Sequence, residues 1–533
     1  MSSVSSTIPS GSAFSVGAES ADARIDPRKL VAFLAMLFGM FMAILDIQVV
    51  SASLTEIQAG LSASNDEISW VQTAYLVAEV VAIPLSGFLS RAFGTRTLFA
   101  ASAAGFTVAS VMCGMTSSIN GMIIWRALQG FIGGGMIPTV FASAYLIFPR
   151  SKQSIISSMI GLVATLAPTI GPTVGGYLTD ALSWHWLFYI NVVPGVFVTI
   201  AVLTLVDFDE PDLGLFQLLD WWGLISMAGF LGALEYVLEE GPRYDWLDDP
   251  TIALFAVISG VSAMAFFGHM LTARSPIVDL RAFTNRNFAL GSLFSFVLGI
   301  GLYGLTYLYP VYLAQIRGYD ALMIGKTMFI SGLAMFLTAP IAGRLAAKID
   351  PRMLLAAGFV IFAFGSWWMT YVTKDWDFWE LFWPQIFRGV GMMLAIVPIT
   401  NVALGTLNPH MLKNASGLFN LMRNLGGAIG LATINTVLNN RTDLHLVRLH
   451  DAVNWSRGPA VDTFNHLVAQ LSDFGADAKA MALKQLMLIV HRQAVVMAFA
   501  DVFLLLSLLF VALAALAIVM KRPAPATGEV GAH

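Results

Sequence analysis

Long apolar stretches dominate this sequence and decide what it can fold into. About fourteen of them are long enough to cross a bilayer as helices, which takes about 20 apolar residues each. They lie at 31–52, 68–90, 97–116, 119–146, 154–178, 186–206, 220–238, 251–271, 288–313, 322–347, 353–373, 380–404, 412–437 and 494–520. Only 12% of the residues are charged, whereas soluble domains carry roughly 25%. The sequence therefore predicts an all-α polytopic membrane protein.

The distribution of lysine and arginine predicts how these helices are oriented. Basic residues are retained in short cytoplasmic loops during insertion, so the side that carries more of them faces the cytoplasm. With the amino terminus inside, the short outer loops hold only Arg243, Arg317 and Lys374. We therefore expect both termini to be cytoplasmic. The net charge of −4 gives no reason to expect a nucleic-acid partner.

Motifs for catalysis, metal binding or nucleotide binding do not stand out. The single cysteine, Cys113, excludes a disulfide framework and a cysteine-based metal cluster. The sequence Gly325-Lys326-Thr327 lacks the glycine five residues earlier that a phosphate-binding loop needs, because Asp320 occupies that position. We therefore predict a protein that is not an enzyme and that uses neither a cofactor nor a metal.

A repeated pattern divides the chain into related halves. Residues 87–96 close the second span and 343–352 close the tenth, and both segments are basic and rich in small residues. Repeated halves with a site between them are typical of transporters. The predicted units are a disordered tail (1–30), a six-helix bundle (31–206), two inserted spans with a cytoplasmic linker (207–287), a second six-helix bundle (288–520) that includes an outer segment (438–493), and a cytoplasmic tail (521–533).

The fifth span contains an unusual cluster of prolines and glycines. Pro168 and Pro172 each remove a backbone donor, and Gly171, Gly175 and Gly176 allow another helix to approach closely. Such a helix can serve as a hinge between moving parts. It can also be a kinked structural span, since proline is tolerated in membrane helices.

Asp46 in the first span and Arg126 in the fourth are expected at matching depth. Each lies about seven residues from the outer end of its span, which at 1.5 Å per residue is roughly 10 Å below the outer surface. If the two helices are neighbours, the opposite charges lower each other's cost of burial. Either protonation of Asp46 remakes this pair and biases one conformation, or the pair is static and structural.

Other polar side chains interrupt the spans. Glu79 lies nearer the middle of its span than any other carboxylate, which suits a proton carrier, although a protonated glutamate can also serve helix packing. Arg388 and Arg423 face a similar choice between contacting substrate and joining helices. Glu235 and Asp501 lie near the outer ends of their spans, where we expect them at the membrane interface.

The polar segment 438–493 is too long for a tight loop. Phe464, Leu467, Leu471 and Phe474 recur at roughly helical spacing, so residues 462–493 are expected to form amphipathic helices. These helices either cap the protein itself or offer a surface for a partner.

Several of these segments resemble the major facilitator superfamily. Residues 167–177, continuing into 184–191, resemble its antiporter motif and the hairpin that follows. Residues 126–130 with 133–135 resemble motif B, whose arginine the family ties to proton coupling, and 87–96 resemble motif A, the cytoplasmic gate. Over about 30–520 the chain is similar to the fourteen-span drug:proton antiporters of the EmrB type.

The resemblance implies the major facilitator fold, here two six-helix bundles plus two inserted central helices, or 14 spans. It implies multidrug efflux, in which hydrophobic or amphipathic compounds are exported across the bacterial inner membrane in exchange for protons. It also implies a periplasmic membrane-fusion adaptor and an outer-membrane channel as partners, with 438–493 as the candidate docking segment.

The expected roles fall into four sets. Proton coupling is expected of Asp46, Glu79 and Arg126. The antiporter-motif hinge comprises Pro168, Gly171, Pro172, Gly175 and Gly176. The cytoplasmic gate comprises Gly87, Arg91, Gly94 and Arg96. The substrate cavity comprises Gln129, Tyr303, Tyr307, Arg388, Asn420 and Arg423.

Two alternative functions remain open. One is a proton-coupled importer, or an exporter of a specific metabolite, with the same architecture. The other is a membrane sensor or assembly protein that transports nothing and acts through 438–493.

Overall fold

The structure, a computed structural model, describes residues 26–273 and 276–519. The predicted tails at 1–30 and 521–533 lie largely or wholly outside these residues. The described chain is mainly helical, as the apolar stretches predict. The first helix begins at Pro27, where Asp26 accepts a hydrogen bond from the Arg28 backbone amide as its amino-terminal cap.

The first half of the chain forms one bundle. Its helices are α1 (Pro27–Ser51), α2 (Leu54–Leu61), α3 (Asn65–Phe93), α4 (Thr95–Met115), α5 (Ile119–Gly133), α6 (Met136–Ile147), α7 (Arg150–Ala181), α8 (Trp186–Tyr189) and α9 (Val192–Leu205). The predicted span at 119–146 is interrupted at Gly134 and Gly135, between α5 and α6. Gly94 takes a positive φ of 78°, which makes the sharp turn between α3 and α4.

Two inserted helices and a second bundle follow. The inserted pair is α10 (Trp221–Glu240) and α11 (Pro250–Thr272), and the second bundle contains α12 (Arg286–Tyr312), α13 (Ala321–Lys348), α14 (Pro351–Trp368), α15 (Phe378–Leu404), α16 (Pro409–Ala452), α17 (Gly458–Gln470) and α18 (Ala478–Val519). The two bundles meet where α7 packs on α13 and α15, and where α3 packs on α16. The inserted helix α10 packs on both α3 and α16.

Thirteen helical stretches of the described chain are long and apolar enough to cross a membrane. The predicted span at 412–437 is not among them, because it lies within α16, which carries Asn414, Asn420, Arg423 and Asn424. Helix α16 nevertheless packs against α3, α12 and α18 inside the bundle. Asn414, Asn420 and Arg423 are buried against protein and Asn424 is half-buried, so this helix belongs to the bundle in spite of its low hydropathy.

The polar segment 438–493 is largely helical. Helix α16 continues through it to Ala452, and α18 begins at Ala478, well before the predicted start of the last span at 494. Between them, Leu467 and Leu471 at the end of α17 form a small apolar cluster with Ala478 and Ala482 of α18. Helix α17 thus caps the end of this bundle.

Candidate functional site

Asp46 and Arg126 form an ion pair in the interior of the first bundle. An Arg126 guanidinium nitrogen, Nη1, lies 2.6 Å from Asp46 Oδ2, and both side chains have no exposed surface. The pairing expected from their matching depth is therefore present. Because each charge is removed from solvent, each depends on the other for compensation.

Three further side chains complete this buried network. The Gln129 amide donates to Asp46 Oδ1 at 3.2 Å, and its oxygen accepts from Arg126 at 2.7 Å. Asn191, at the start of α9, donates to the same Asp46 oxygen at 2.6 Å and to Ser110 at 3.0 Å. Asp46 therefore accepts hydrogen bonds from three side chains, two on α5 and one at the start of α9.

Arg126 retains unused hydrogen-bonding capacity. Its Nε donates to the carbonyl of Val71 at 3.2 Å, and the guanidinium lies 4.2 Å from the centre of the Tyr75 ring. Among the described residues its Nη2 has no hydrogen-bond partner. A buried guanidinium nitrogen without a partner is costly, so another arrangement of this network can lie close in free energy.

A cavity of about 530 Å³ lies beside this network, between the two bundles and α10. Glu79 of α3, Pro172 of α7, Tyr303 and Tyr307 of α12 and Asn424 of α16 all line it. Glu79 is only 3% exposed, and it makes no hydrogen bond or ion pair with a described residue. The cavity therefore holds a buried carboxylate that is available to a proton or a ligand.

The proline- and glycine-rich segment lies in one continuous helix, α7, which includes both Pro168 and Pro172. A β-carbon added at Gly171 would collide with the β-carbon of Gln48 on α1. One added at Gly175 would lie 2.8 Å from the carbonyl oxygen of Val49. These two glycines let α1 and α7 approach backbone to backbone, and Gly176 beside them is buried.

The opposite face of α7 meets the second bundle. Gly332 and Gly343 of α13 admit Leu166 and Ser158 of α7, respectively. Helix α7 is therefore held between α1 of its own bundle and α13 of the other. This position suits a hinge, because α7 lies in the interface across which the two bundles would move relative to each other.

The bundles are in close contact at the end of the molecule opposite the cavity. Lys413 of α16 forms an ion pair with Asp209, and it also donates to the carbonyl of Ser90 at 3.0 Å. Gly87 packs directly on the backbone of Lys413 and Asn414. This end of the interface is therefore closed in the structure.

A second cross-bundle contact lies at the closed end. Asn401 of α15 accepts hydrogen bonds from Tyr145 at 3.0 Å and Ser157 at 2.7 Å, and it donates to Ser154 at 3.2 Å. These contacts join α6 and α7 of the first bundle to the second.

The predicted gate residues take unequal positions at this end. Gly87 makes the close approach, and Gly94 makes the turn that precedes Thr95, whose amide and hydroxyl donate to Asp209. Arg91 donates to the carbonyl of Gly87 on its own helix at 3.3 Å, and Arg96 is exposed. The cross-bundle ion pair is thus formed by Lys413 and Asp209 rather than by these arginines.

The predicted cavity residues separate into two groups. Tyr303 and Tyr307 line the cavity, whereas Gln129 belongs to the Asp46 network and is not among the lining residues. Arg388, Asn420 and Arg423 do not line it either: Arg388 donates to Thr306 at 2.8 Å and Arg423 to Asn420 at 2.8 Å, all of them buried. Arg388 thus joins α15 to α12, whereas Asn420 and Arg423 bond to each other within α16.

Sequence reasoning missed several residues of the site. Asn191 stood out only as the last residue of the hairpin at 184–191, and Asp209 and Lys413 are ordinary loop and helix-start residues in the sequence. The expectation for Glu235 is wrong: it is 6% exposed and lines the cavity instead of lying at the membrane interface. The useful signal was its spacing of four residues from Glu239, which places both carboxylates on one face of α10.

Comparison with known proteins now identifies the family. The family model described as Major Facilitator Superfamily matches residues 36–431. The chain belongs to the major facilitator superfamily. Within the superfamily it is similar to the colistin resistance protein EmrB of Acinetobacter baumannii, with 40% identity over 92% of this chain and 96% of that protein. It is also 32% identical to the multidrug export protein EmrB of Escherichia coli, over 79% of this chain and 82% of that protein.

Solved structures of the superfamily share this fold. The human organic anion transporter MFSD10 (TETRAN) superposes with a TM-score of 0.57 at 14% identity, covering 91% of this chain and all of that one. The proton:xylose symporter XylE superposes with a TM-score of 0.55 at 13% identity, covering 90% and 94%. At these identities the likeness shows the superfamily fold alone.

Proposed function

We propose that this chain exports hydrophobic or amphipathic compounds in exchange for protons, as a multidrug efflux transporter. The observation that carries the proposal is the similarity, over most of the chain, to proteins described as drug-resistance and multidrug export proteins. The cavity between the two bundles supports it, because its size and its largely aromatic and aliphatic walls suit an amphipathic ligand.

Glu79 is the proposed proton carrier. Gly87 of α3 lies against Lys413 of α16, and Ile83 and Pro84 lie against Gly417, so the two helices run antiparallel. One helical turn further from Ile83 towards the start of α3, and the matching turn along α16, bring Glu79 to about the level of Arg423. A buried carboxylate that lies near a cation but forms no direct ion pair can exist in both its protonated and its ionised form, because the two forms differ little in free energy.

Asp46 and Arg126 are proposed to transmit the protonation state to the helices. Their network joins α1, α5 and α9, and α1 is also the helix that packs on the glycines of α7. A change in the charge of Asp46 would therefore alter the contact between α1 and the hinge helix. The effect would therefore pass from Asp46 to the hinge helix through a single interface, the one between α1 and α7.

The closed end is proposed to face the cytoplasm and the cavity the periplasm. Lys and Arg concentrate at the closed end, for example Arg91, Arg96, Lys348 and Lys413, which supports this orientation by the positive-inside rule. In this orientation both termini are cytoplasmic, the protein lies in the bacterial inner membrane, and the structure corresponds to an outward-facing state.

A periplasmic adaptor and an outer-membrane channel are proposed as partners. Helix α17 with the adjoining ends of α16 and α18 would project on the periplasmic side in the proposed orientation. Trp455, between α16 and α17, is 69% exposed there, which suits a protein contact. Replacing Trp455 by alanine should weaken adaptor binding and leave compound-driven proton release in liposomes unchanged.

The proposed exchange is tested with purified protein in liposomes that have an acidic lumen. Lipophilic cations and weak acids are added outside, and the lumenal pH is followed for the wild type, Glu79→Gln and Glu56→Gln. Glu56 is an exposed carboxylate on α2 and serves as the matched control. Compound-driven proton release in the wild type and Glu56→Gln, but not in Glu79→Gln, is the expected result.

The other outcomes are equally informative. Proton release that persists in Glu79→Gln would still support proton-coupled exchange, and it would indicate Asp46 as the proton carrier. Absence of release in the wild type across the panel would contradict proton-coupled export of these compounds.

A further inference from the structure

The inserted helix α10 contributes charge to the cavity. Glu235 and Glu239, one helical turn apart, both line it, and they face Glu79 of α3 across the same space. Glu240 also lines it, where it accepts a hydrogen bond from Thr73 at 3.0 Å and lies 3.9 Å from Arg243. The cavity wall is therefore strongly acidic on the side of the inserted helix.

Two of these carboxylates are buried without any partner in the described residues. Glu235 and Glu79 are 6% and 3% exposed, and neither forms a hydrogen bond or an ion pair with a described residue. A carboxylate removed from solvent requires a compensating charge or a proton. Both side chains point into a space large enough for a ligand, so the compensating charge can come from outside the protein.

Two other features of the cavity suit the same kind of ligand. The side-chain oxygen of Gln72, which also lines the cavity, is buried without a hydrogen-bond partner and can accept from an N–H donor. Tyr303 and Tyr307 of α12 also line the cavity, and the faces of aromatic rings attract organic cations. The cation that lines the cavity, Arg243, is paired with Asp66 at 2.7 Å and lies 3.9 Å from Glu240, so its charge is offset by carboxylates within the protein.

The inserted helix is fixed in this position by both bundles. Tyr236 stacks on Trp70 of α3 with ring centres 5.2 Å apart, and Trp246, just after α10, donates to Thr436 of α16 at 3.0 Å. Glu235 is therefore presented to the cavity by a helix that contacts both halves of the transporter.

We infer that this cavity selects amphipathic organic cations and that Glu235 of the inserted helix is the residue that determines this selection. The inference rests on the proposed function and deepens it by naming the substrate class. It also gives the inserted pair a role in recognition, because α10 supplies three of the carboxylates that line the cavity, Glu235, Glu239 and Glu240, whereas the two bundles supply Glu79.

The test compares two probes of nearly the same shape and opposite charge, tetraphenylphosphonium and tetraphenylborate. Their binding to the purified full chain in detergent is measured by equilibrium dialysis, with protein-free detergent as the blank. We expect the cation to bind about tenfold more tightly than the anion, since the carboxylates attract one charge and repel the other.

Variants assign the effect to Glu235. Glu235→Gln should weaken tetraphenylphosphonium binding about tenfold, whereas Glu235→Asp, which keeps the charge, should largely retain it. The matched control is Asp248→Asn, an exposed carboxylate in the same hairpin that does not line the cavity, and it should bind as the wild type does. A thermal melt of each variant reports whether it is folded, and Glu239→Gln provides a second cavity variant if Glu235→Gln does not fold.

Two results would overturn the inference: equal binding of the two probes by the wild type, or unchanged tetraphenylphosphonium binding when Glu235, or Glu239 in its place, is neutralised. Failure of the proposed function is distinguishable, because it appears as absent proton release in liposomes. The binding assay needs no proton gradient, so charge-selective binding can be present or absent independently of that result.

Discussion

Asp46 of α1 and Arg126 of α5 are joined at 2.6 Å in the interior of the first bundle, and the second bundle repeats the arrangement without the carboxylate. There Arg388 of α15 donates to the hydroxyl of Thr306 on α12 at 2.8 Å and lies 5.5 Å from the centre of the Tyr309 ring. Only the first bundle therefore has a group at this position that can change charge by taking up a proton. This asymmetry is the structural basis for expecting proton coupling in that half.

Breaking the Asp46–Arg126 pair should be more harmful than removing both charges. Asp46→Asn leaves a buried guanidinium without its counter-ion, and we expect a loss of about 3 kcal/mol in stability together with loss of proton-coupled transport. The double variant Asp46→Asn/Arg126→Gln should be more stable than Asp46→Asn, although still inactive. Thermal unfolding in detergent measures the order, and a double variant less stable than either single one would contradict it.

Gly171 should tolerate no side chain. Gly171→Ala places a methyl group against Gln48 of α1, so we expect about 1 to 3 kcal/mol of destabilisation and strongly reduced transport. Gly268→Ala on α11 is the matched control, because a β-carbon there meets no atom within 4 Å. Equal transport by the two variants would show that the close approach of α1 and α7 is not required.

Weakening the ion pair at the closed end should shift the molecule towards opening there. Lys413→Gln removes the charge that pairs with Asp209, whereas Lys348→Gln removes an exposed charge at the same end as a control. Spin labels on cysteines at the exposed positions Arg96 and Met353, in a Cys113→Ser background, report the separation of the bundles. A longer distance population is expected for Lys413→Gln alone, and identical distributions in both variants would be evidence against a gate at this position.

The hydrogen bond from Trp246 to Thr436 should anchor the inserted pair to the second bundle. Thr436→Val removes the acceptor and should cost about 1 kcal/mol. Thr433→Val on the same helix is the control, since that hydroxyl is exposed and donates only to the carbonyl of Ile429. Hydrogen exchange over 241–249 should increase in the first variant, and an equal increase in the second would indicate a general effect on α16 instead.

The helices themselves were largely predictable. The length of each apolar stretch predicted nearly every membrane-crossing helix. Backbone N–H and C=O groups in hydrocarbon must form their hydrogen bonds within the helix, and each crossing needs a minimum number of residues. The continuity of α18 was not predicted. Residues 462–493 were expected to form amphipathic helices and the last span was expected to begin at 494, whereas a single helix runs from Ala478 to Val519 and packs on α17 at its start.

The candidate site was predictable only in part. Depth along the helices placed Asp46 and Arg126 at the same level, since distance along a helix follows directly from residue number. The same reasoning did not place Arg388, Asn420 and Arg423, which are buried between helices rather than in the cavity, or Glu235, which is in the cavity rather than at the membrane interface. Each of these depends on the direction in which a side chain leaves its helix, and that is set by the packing of neighbouring helices.

Hydropathy and residue spacing were thus enough to predict the all-helical membrane architecture, the approximate ends of most helices and the depth of the charged residues. They were enough because these properties follow from hydrocarbon thickness and helix rise, which act on each segment separately. Only the packed fold shows that Asn191 joins Asp46, that Lys413 meets Asp209 and that Glu235 of α10 shares a cavity with Glu79. These relationships join residues far apart in the chain, and they depend on helix rotation and partner choice, which only the simultaneous packing of all the helices fixes.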